Sequence, residues 1–365
     1  MKSVLVSAEV FERQRVGGIS HYFIELARFL NDNQLCRVRF ESVVHINRAL
    51  KAYRGTKSIY LPFSPTRFRL ESMIGKVNDT YGKRISSAQR IDIKHISFIS
   101  SAYRAPESIP YVITIYDLIR EKFSPNDHMI ATRQKMIDNA AAIIAISDTT
   151  AADLKDFYSI NEACIHRVYL GVDHKIFYPN FSPFKTSPPY QLLYVGERNG
   201  YKSFRTLIEA FRLSDDLRKN FKVLAFGKKF EPEEVRLLQD YHLQSIFSQQ
   251  NGNDQLLAQY YRSSLALVIT SKYEGFGLPV IEAMASGCIV LSTRGGSLGE
   301  ISGGLDLPFE YGNPESLEYA IHQALNLSFS RSDYPLVLSS YAESFDWGKA
   351  AYETLDIYNS ISHGV

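Results

Sequence analysis

Cysteine is scarce in this chain. The three that occur in 365 residues, Cys36, Cys164 and Cys288, are odd in number and far apart, with no Cys-x-x-Cys pair. That spacing argues against a disulfide framework and against a zinc site. Long apolar runs are also missing. No run approaches the roughly eighteen residues of a membrane span, and Met1-Lys2-Ser3 leads into a strand-like run rather than a signal peptide. A cytoplasmic protein is the expectation. Acidic Asp-x-Asp clusters, which would hold a divalent metal, are absent as well.

What is present is the composition of a soluble globular protein, 45% hydrophobic and 22% charged. The length accommodates two domains of ordinary size, each with its own core. The net charge of +2 hides an asymmetry: residues 1–180 hold 25 Lys/Arg against 18 Asp/Glu, and the remainder 16 against 21. The basic excess is concentrated between Arg48 and Arg90, where only Glu71 and Asp79 oppose ten basic residues. Tyr53, Tyr60, Phe63, Phe68, Met73 and Ile74 interleave with them. Such a segment meets anionic lipid headgroups or a phosphorylated acceptor, binds nucleic acid, or is a solvated face. Nothing around it forms a nucleic-acid module, so no nucleic-acid partner is expected.

The most informative stretch is Leu265–Ser292, LALVITSKYEGFGLPVIEAMASGCIVLS. Leu265–Thr270 is a short apolar, β-branched run that fits a buried strand. Pro279 suits the first helical position, and Gly287 suits a helix stop before a second buried strand at Cys288–Leu291. A strand–helix–strand unit of this kind belongs in a parallel sheet, whose ligands bind beyond the carboxyl ends of the strands. Gly275 and Gly277 clear side chains from the intervening turn, and the helix opening there adds N–H donors and a positive dipole end. Glu274 lies in the turn. Glu282 lies in the first helical turn and leans back toward it. A carboxylate beside a bound phosphate is repelled, which favours neutral hydroxyls such as those of ribose as its partners.

Glu274-Gly-Phe-Gly-Leu-Pro-Val-Ile-Glu282, followed by Ala283-Met-Ala-Ser-Gly287, closely resembles the E-x7-E signature of the family-4 retaining glycosyltransferases. The resemblance implies an α/β protein of the GT-B fold: two doubly wound, Rossmann-like parallel-sheet domains facing across a cleft. It implies an acceptor-binding domain over 1–175, a linker over 176–190, a nucleotide-sugar domain over 191–345, and a terminal helix over 346–365 that packs back on the first domain. Glu274 then contacts the donor sugar, Glu282 the nucleotide ribose, and the backbone of Gly275, Phe276, Gly277 and Leu278 the diphosphate.

Lys2–Ala8 reads as a first strand, Glu9–Val16 as a polar loop, and Gly17-Gly18 as the opening of a helix. In enzymes of this kind such a diglycine faces donor diphosphate and acceptor, with Arg13 or Arg15 nearby. Arg37–His45, Ile91–Ile99, Tyr111–Asp117 and Ala140–Ile146 read as further strands, and Ser147 or Asp148 as a helix cap. Asp117 ends its strand and is a candidate acceptor-activating base. Relatives often carry His-Asp where this chain has Tyr116-Asp117, so Tyr116, His21 and His128 are further acceptor candidates. The proline-rich piece 177–190 reads as the linker.

Gly196-Glu-Arg198-Asn-Gly-Tyr-Lys202 follows a strand at Leu192–Val195 and resembles the family segment in which Arg and Lys grip the leaving diphosphate. Two fixed cations there neutralise charge that develops as the sugar–phosphate bond breaks. Gly227 follows the strand Lys222–Phe226, where a base or ribose can pack. Asp254 reads as a helix cap, and Arg294-Gly-Gly-Ser-Leu-Gly-Glu300 as an architectural turn. The resemblance thus implies a retaining hexosyltransferase, using a GDP- or UDP-sugar and a saccharide or lipid-diphosphate-linked saccharide acceptor in surface-polysaccharide assembly. It implies no essential metal and peripheral contact with the inner membrane face through 48–90. A soluble acceptor, an epimerase and a non-catalytic nucleotide-sugar binder are the alternatives.

Overall fold

The computed structural model describes residues 1–62, 68–97, 109–124, 129–179 and 187–361. The chain divides into two compact units, one comprising Met1–Gly171 with Trp347–Val365 and the other Val172–Asp346.

The first unit is built on a six-stranded sheet: β1 (Ser3–Val6), β2 (Arg37–Phe40), β3 (Ile93–Ile96), β4 (Tyr111–Ile115), β5 (Ala142–Ala145) and β6 (Ile165–Arg167), in the order β2-β1-β3-β4-β5-β6. Every pairing is parallel. The strands β1, β4 and β5 are buried at every position, as aliphatic runs covered on both faces must be. Helices Gly18–Asp32, Phe68–Ala88 and Asp148–Phe157 lie between successive strands, the last capped by Ser147, whose Oγ accepts from Thr150 N at 2.9 Å.

The terminal helix Trp347–Ser360 belongs to this unit. Its buried residues Trp347, Ala350, Ala351, Thr354, Ile357 and Tyr358 recur at helical spacing. Tyr358 Oη reaches Nδ1 of buried His95 at 2.6 Å, and His95 Nε2 meets Thr114 Oγ1 at 2.8 Å. Lys2 Nζ donates to the carbonyls of Tyr358 and Ile361.

The second unit carries β7 (Tyr190–Val195), β8 (Phe221–Phe226), β9 (Phe247–Gln250), β10 (Ala266–Ile269), β11 (Ile289–Ser292) and β12 (Leu307–Pro308). Their order is β9-β8-β7-β10-β11-β12, all parallel. Strand order reverses between β7 and β10, so the crevice beyond their carboxyl ends is the topological switch point where such sheets bind ligands.

Several expectations are corrected. The supposed loop Glu9–Val16 contains a helix, Glu9–Arg13, that buries Val10 and Phe11. The strand expected over Arg37–His45 ends at Phe40, and a separate short parallel pair joins Val44–His45 to Ile59–Tyr60. Of the linker expected over 176–190, the described residues 176–179 and 187–190 group with the second unit. Phe177 is buried against the Tyr261 ring at 6.0 Å, Arg262 donates to the carbonyls of Ile176 and Tyr178, and Tyr190 opens β7. Helix Asp254–Ser263 is capped by Asn253 rather than Asp254, through Leu256 N at 3.0 Å. His128 lies outside the described residues.

Candidate active site

At the switch point of the second unit, the strand ends are cleared of side chains. Gly196 follows β7 with φ 111° and Gly227 follows β8 with φ 146°. Gly196 N donates to Phe226 O at 3.1 Å, and a Cβ on Gly227 would stand 3.1 Å from Gly196 O. The two glycines are therefore neighbours, and any larger residue would intrude on the ledge they form.

Two loops border this ledge. The segment after β7 turns through Gly200–Lys202, and the segment after β10 runs through Glu274 to helix Leu278–Ala285. They are tied together: Lys272 N donates to Tyr201 O at 2.8 Å, and Thr270 Oγ1 to Lys202 O at 2.5 Å. Across the junction, Lys202 Nζ meets both oxygens of Glu274, at 2.6 and 2.7 Å. Burial opposes charge on the Lys202 ammonium, but Glu274 and Tyr201 outweigh it and leave its pKa raised. The pair is a fixed positive and negative charge held at the mouth of the crevice.

Glu274 is held from behind by Gly295 and Gly296. Glu274 N donates to Gly295 O at 3.2 Å, and Ser297 N to Glu274 O at 2.9 Å. A Cβ on Gly296, whose φ is 67°, would lie 2.3 Å from Glu274 O. The Gly-rich turn is thus a backstop for the acid, a role its sequence position alone does not reveal. Gly275 and Phe276 are buried, with the Phe276 ring against Phe345 at 6.1 Å. Gly277 takes φ 94° and places Leu278 at the helix start, one residue ahead of Pro279. The first N–H groups of a helix have no intrahelical acceptor, so this end presents donors and a positive dipole.

Glu282, one turn into that helix, accepts from Tyr261 Oη at 3.0 Å. Burial pushes its carboxyl up to about 7; the Tyr261 bond pulls it down and the Asp254 charge pushes it further up. Tyr261 was not singled out in the sequence: it sits on a separate helix, 21 residues away, with no local spacing to mark it.

Arg198 and Lys202 are differently placed. The Arg198 side chain is only 4% exposed and is engaged by Glu234, with Nε–Oε1 at 2.7 Å and Nη2–Oε2 at 3.1 Å. It also donates to the carbonyls of Lys228 and Lys229 and lies over the Phe230 ring at 5.0 Å. Glu234 in turn closes the capping box of helix Pro232–Asp240. Most of the Arg198 fork is therefore spent on the loop after β8.

The remaining candidates belong to the first unit. Gly17 is extended, at φ 175°, and a Cβ there would meet Gln14 Oε1 at 2.5 Å. Gln14 folds over the diglycine and accepts from Ser20 N at 3.4 Å, so it occupies one of the donors at the start of helix Gly18–Asp32. Asp117 Oδ1 accepts from Ile119 N at 3.1 Å, the bond of an Asx turn ahead of helix Ile119–Phe123, whose N-cap is Leu118. Tyr116 packs edge-on to Tyr22 at 6.3 Å, and Tyr22 lies 6.1 Å from the Trp347 ring. The Trp347 indole N–H is buried without a hydrogen-bond partner among the described residues, and the buried hydroxyls of Tyr22 and Tyr116 both face Thr114. Burial raises the Tyr116 pKa well above the phenolic range, so its hydroxyl stays protonated. Among the described residues, no group of three or more His, Cys, Asp or Glu is placed to hold a metal.

Over residues 180–344 the chain matches the family described as Glycosyl transferases group 1, and over residues 16–176 Glycosyltransferase Family 4. It is 24% identical to an uncharacterized glycosyltransferase of Methanocaldococcus jannaschii over 95% of each chain. It is 24% identical to O-antigen chain mannosyltransferase B of Escherichia coli over 65% of this chain and 66% of that protein. The structure of Anabaena HepE in complex with UDP-glucose superposes with a TM-score of 0.75 at 15% identity, covering 99% of this chain and 100% of that one, a likeness of fold. The chain belongs to the family-4, group 1 glycosyltransferases and has their GT-B fold.

Proposed function

We propose that this glycosyltransferase moves a hexosyl-type sugar from a GDP- or UDP-sugar to a saccharide acceptor with retention of anomeric configuration. The acceptor is a lipid-diphosphate-linked saccharide of surface-polysaccharide assembly. The observation that carries the reading is the Lys202–Glu274 pair, fixed between two glycine-lined strand ends and the opening of helix Leu278–Ala285. That arrangement offers positive charge to a departing diphosphate and a carboxylate to a neighbouring sugar.

In this reading Lys202 and the backbone N–H groups of Gly275–Leu278 stabilise the nucleoside diphosphate as the sugar–phosphate bond breaks. Glu274 orients the sugar, Glu282 accepts ribose hydroxyls, and Gly196 and Gly227 give the nucleotide room. Arg198, committed to Glu234, holds the loop rather than the phosphate. The acceptor hydroxyl attacks on the face from which the phosphate leaves, and the leaving oxygen takes its proton. Asp117 serves the acceptor side, and Tyr116 donates a hydrogen bond there. Because Lys202 and the helix end supply the charge, transfer proceeds without an essential metal; a rate unchanged by EDTA is the expected result.

Relatives that include an O-antigen mannosyltransferase support the polysaccharide context. The basic segment 48–90 supports a peripheral site on the inner membrane face: helix Phe68–Ala88 exposes Met73 and Val77 among Lys76, Lys83 and Arg84. Co-sedimentation with anionic vesicles that declines as salt rises is expected.

The decisive experiment is thermal stabilisation by UDP, GDP, ADP and dTDP, with and without Glu282→Ala. A ligand at a hundred times its Kd adds about 2.7 kcal/mol, so one nucleotide should raise the Tm of the wild type and do so less in the variant. No shift with any of the four at millimolar concentration would sink the reading. Turnover of a nucleotide-sugar with no acceptor present would favour an epimerase instead.

A further inference from the structure

The amino-terminal ends of β1 and β2 carry a second concentration of positive charge, on the end of the sheet opposite to the strand termini where ligands of such folds bind. Arg37 and Arg39 are exposed or half-buried and alternate with buried Val38 and Phe40, so both project from one face of edge strand β2. Two open depressions meet along this row. One, of about 590 Å³, is also lined by Arg28 and Arg54. The other, of about 390 Å³, is also lined by Ser3 and Arg90.

Arg28 is paired with Glu25 and Arg90 with Asp92. Arg37, Arg39 and Arg54 make no ion pair among the described residues. Ser3, the register partner of Arg37 in β1, is 8% exposed, and its hydroxyl has no hydrogen-bond partner. Ser3 lines the second depression, and its buried hydroxyl is a donor without an acceptor. Arg54 is held at the rim by the next residue: a Cβ on Gly55 would stand 2.4 Å from the Tyr53 ring, so only glycine lets the turn lie on that ring.

A plainer account is that the arginines guard an exposed edge strand against pairing with another chain. That edge is already closed at Val38, whose N–H and carbonyl are both bonded by the Asn31 side chain, at 2.9 and 3.0 Å. The opposing field is also small. The end of helix Gly18–Asp32 contributes roughly half a negative charge, and Asp32 and Asp92 line the depressions. Asp92 is committed to Ser3 N at 2.8 Å and Arg90 Nε at 3.0 Å. Three guanidinium groups outweigh these.

We propose that the Arg37–Arg39 row, with the Ser3 hydroxyl beneath it and Arg54 at its rim, binds a diphosphate or other doubly phosphorylated group. Strand geometry spaces the two arginines by about 6.6 Å, and each guanidinium fork matches the oxygens of one phosphate. The site is built from residues other than those assigned to the donor and stands independently of that assignment. The phosphates belong to a soluble compound or to lipid headgroups.

The test is titration of the full chain with pyrophosphate, followed by calorimetry and thermal shift, beside co-sedimentation with phosphatidylcholine vesicles containing cardiolipin, whose headgroup carries two phosphates. Wild type, Lys202→Ala, Ser3→Ala, Arg54→Gln and Arg37→Gln/Arg39→Gln are compared. Pyrophosphate binding that survives Lys202→Ala, weakens at least tenfold in the double variant and severalfold in Ser3→Ala supports the site with a soluble ligand. Vesicle binding lost in the double variant, without pyrophosphate binding, supports it with a lipid headgroup. Should the double variant aggregate, Arg54→Gln and Ser3→Ala carry the same comparison. Wild type that binds neither probe, or variants that bind as well as wild type, overturns the proposal.

Discussion

A carboxyl that is still about half protonated at neutrality is costly to keep ionised in place, and Glu282 is such a group. Its pKa is about 7 in the native protein against an ordinary value of 4.5. Between those pH values the native state holds a proton that the unfolded chain has released. Stability from this group therefore falls as pH rises through that window, and the full penalty is present above pH 7. A displacement of this size corresponds to on the order of 3 kcal/mol. Glu282→Gln should accordingly be more stable than wild type at pH 8, by roughly 2–3 kcal/mol in denaturant titrations, and should show no such advantage near pH 4.5. Its nucleotide affinity should nevertheless drop; a variant that gained neither stability nor lost affinity would show that Glu282 is ionised comfortably and has no ligand role. Tyr261→Phe removes the bond that pulls this pKa down, so the pH dependence of nucleotide binding should move to higher pH. The two cations separate at the same scale. Lys202→Ala should lower kcat by about 10²–10³-fold, as loss of a charge that meets the developing diphosphate does, and should also lower Tm, because Glu274 is left without its partner. Arg198→Lys should lower Tm, because lysine cannot reproduce the paired bonds to Glu234 and the two carbonyls.

Elements set how firmly those residues are held, and the glycines after β11 give a controlled comparison. Gly296 and Gly304 both take positive φ, 67° and 76°. A Cβ at Gly296 would strike the Glu274 carbonyl, whereas one at Gly304 would meet nothing within 4 Å. Gly304→Ala should cost only the backbone preference, about 1–2 kcal/mol. Gly296→Ala should cost more and also depress turnover, because Glu274 must shift; equal costs with equal activity would show that the backstop does not position the acid. This element also marks how far the sequence could be read. The turn from Glu274 to Glu282 was legible because β-branched strands, glycines and a proline all fall within one local stretch. The Gly295–Gly296 turn was recognisable as a turn, but its target lies on another segment, and no periodicity encodes a contact of that kind. Helix Glu9–Arg13 was missed since five residues are too few to display a helical period. Asn253 and Asp254 are both good caps, and only the backbone angle at Asn253 decides between them. Arg198 reads as a phosphate ligand from its own segment, and its pairing with Glu234, 36 residues away, has no local signal in the sequence.

At the scale of the molecule, the chain leaves its first unit after Gly171 and returns to it at Trp347. The return is not a loose tail. The terminal helix puts Tyr358 against His95 and Trp347 against Tyr22, sets Tyr352 edge-on to Phe29 at 5.3 Å, and receives Lys2 at its end. His95 depends on this packing: burial depresses its pKa to about 3, so it is neutral in the native state and needs both Tyr358 and Thr114 to satisfy its ring nitrogens. A chain ending at Asp346 would strip one partner from a fully buried imidazole and expose the apolar face of helix Gly18–Asp32. The second unit keeps every strand of its own sheet in such a chain. Calorimetry of the truncated protein should therefore show one transition close to its full-length position and one lowered or lost, with proteolysis confined to residues 1–171. The lowered transition should also lose less stability on acidification than in the full chain, because an imidazole already open to water no longer resists protonation between pH 6.5 and 3. If both transitions fell together, the two sheets would be a single cooperative unit and the terminal helix a tie for the whole molecule rather than a part of the first.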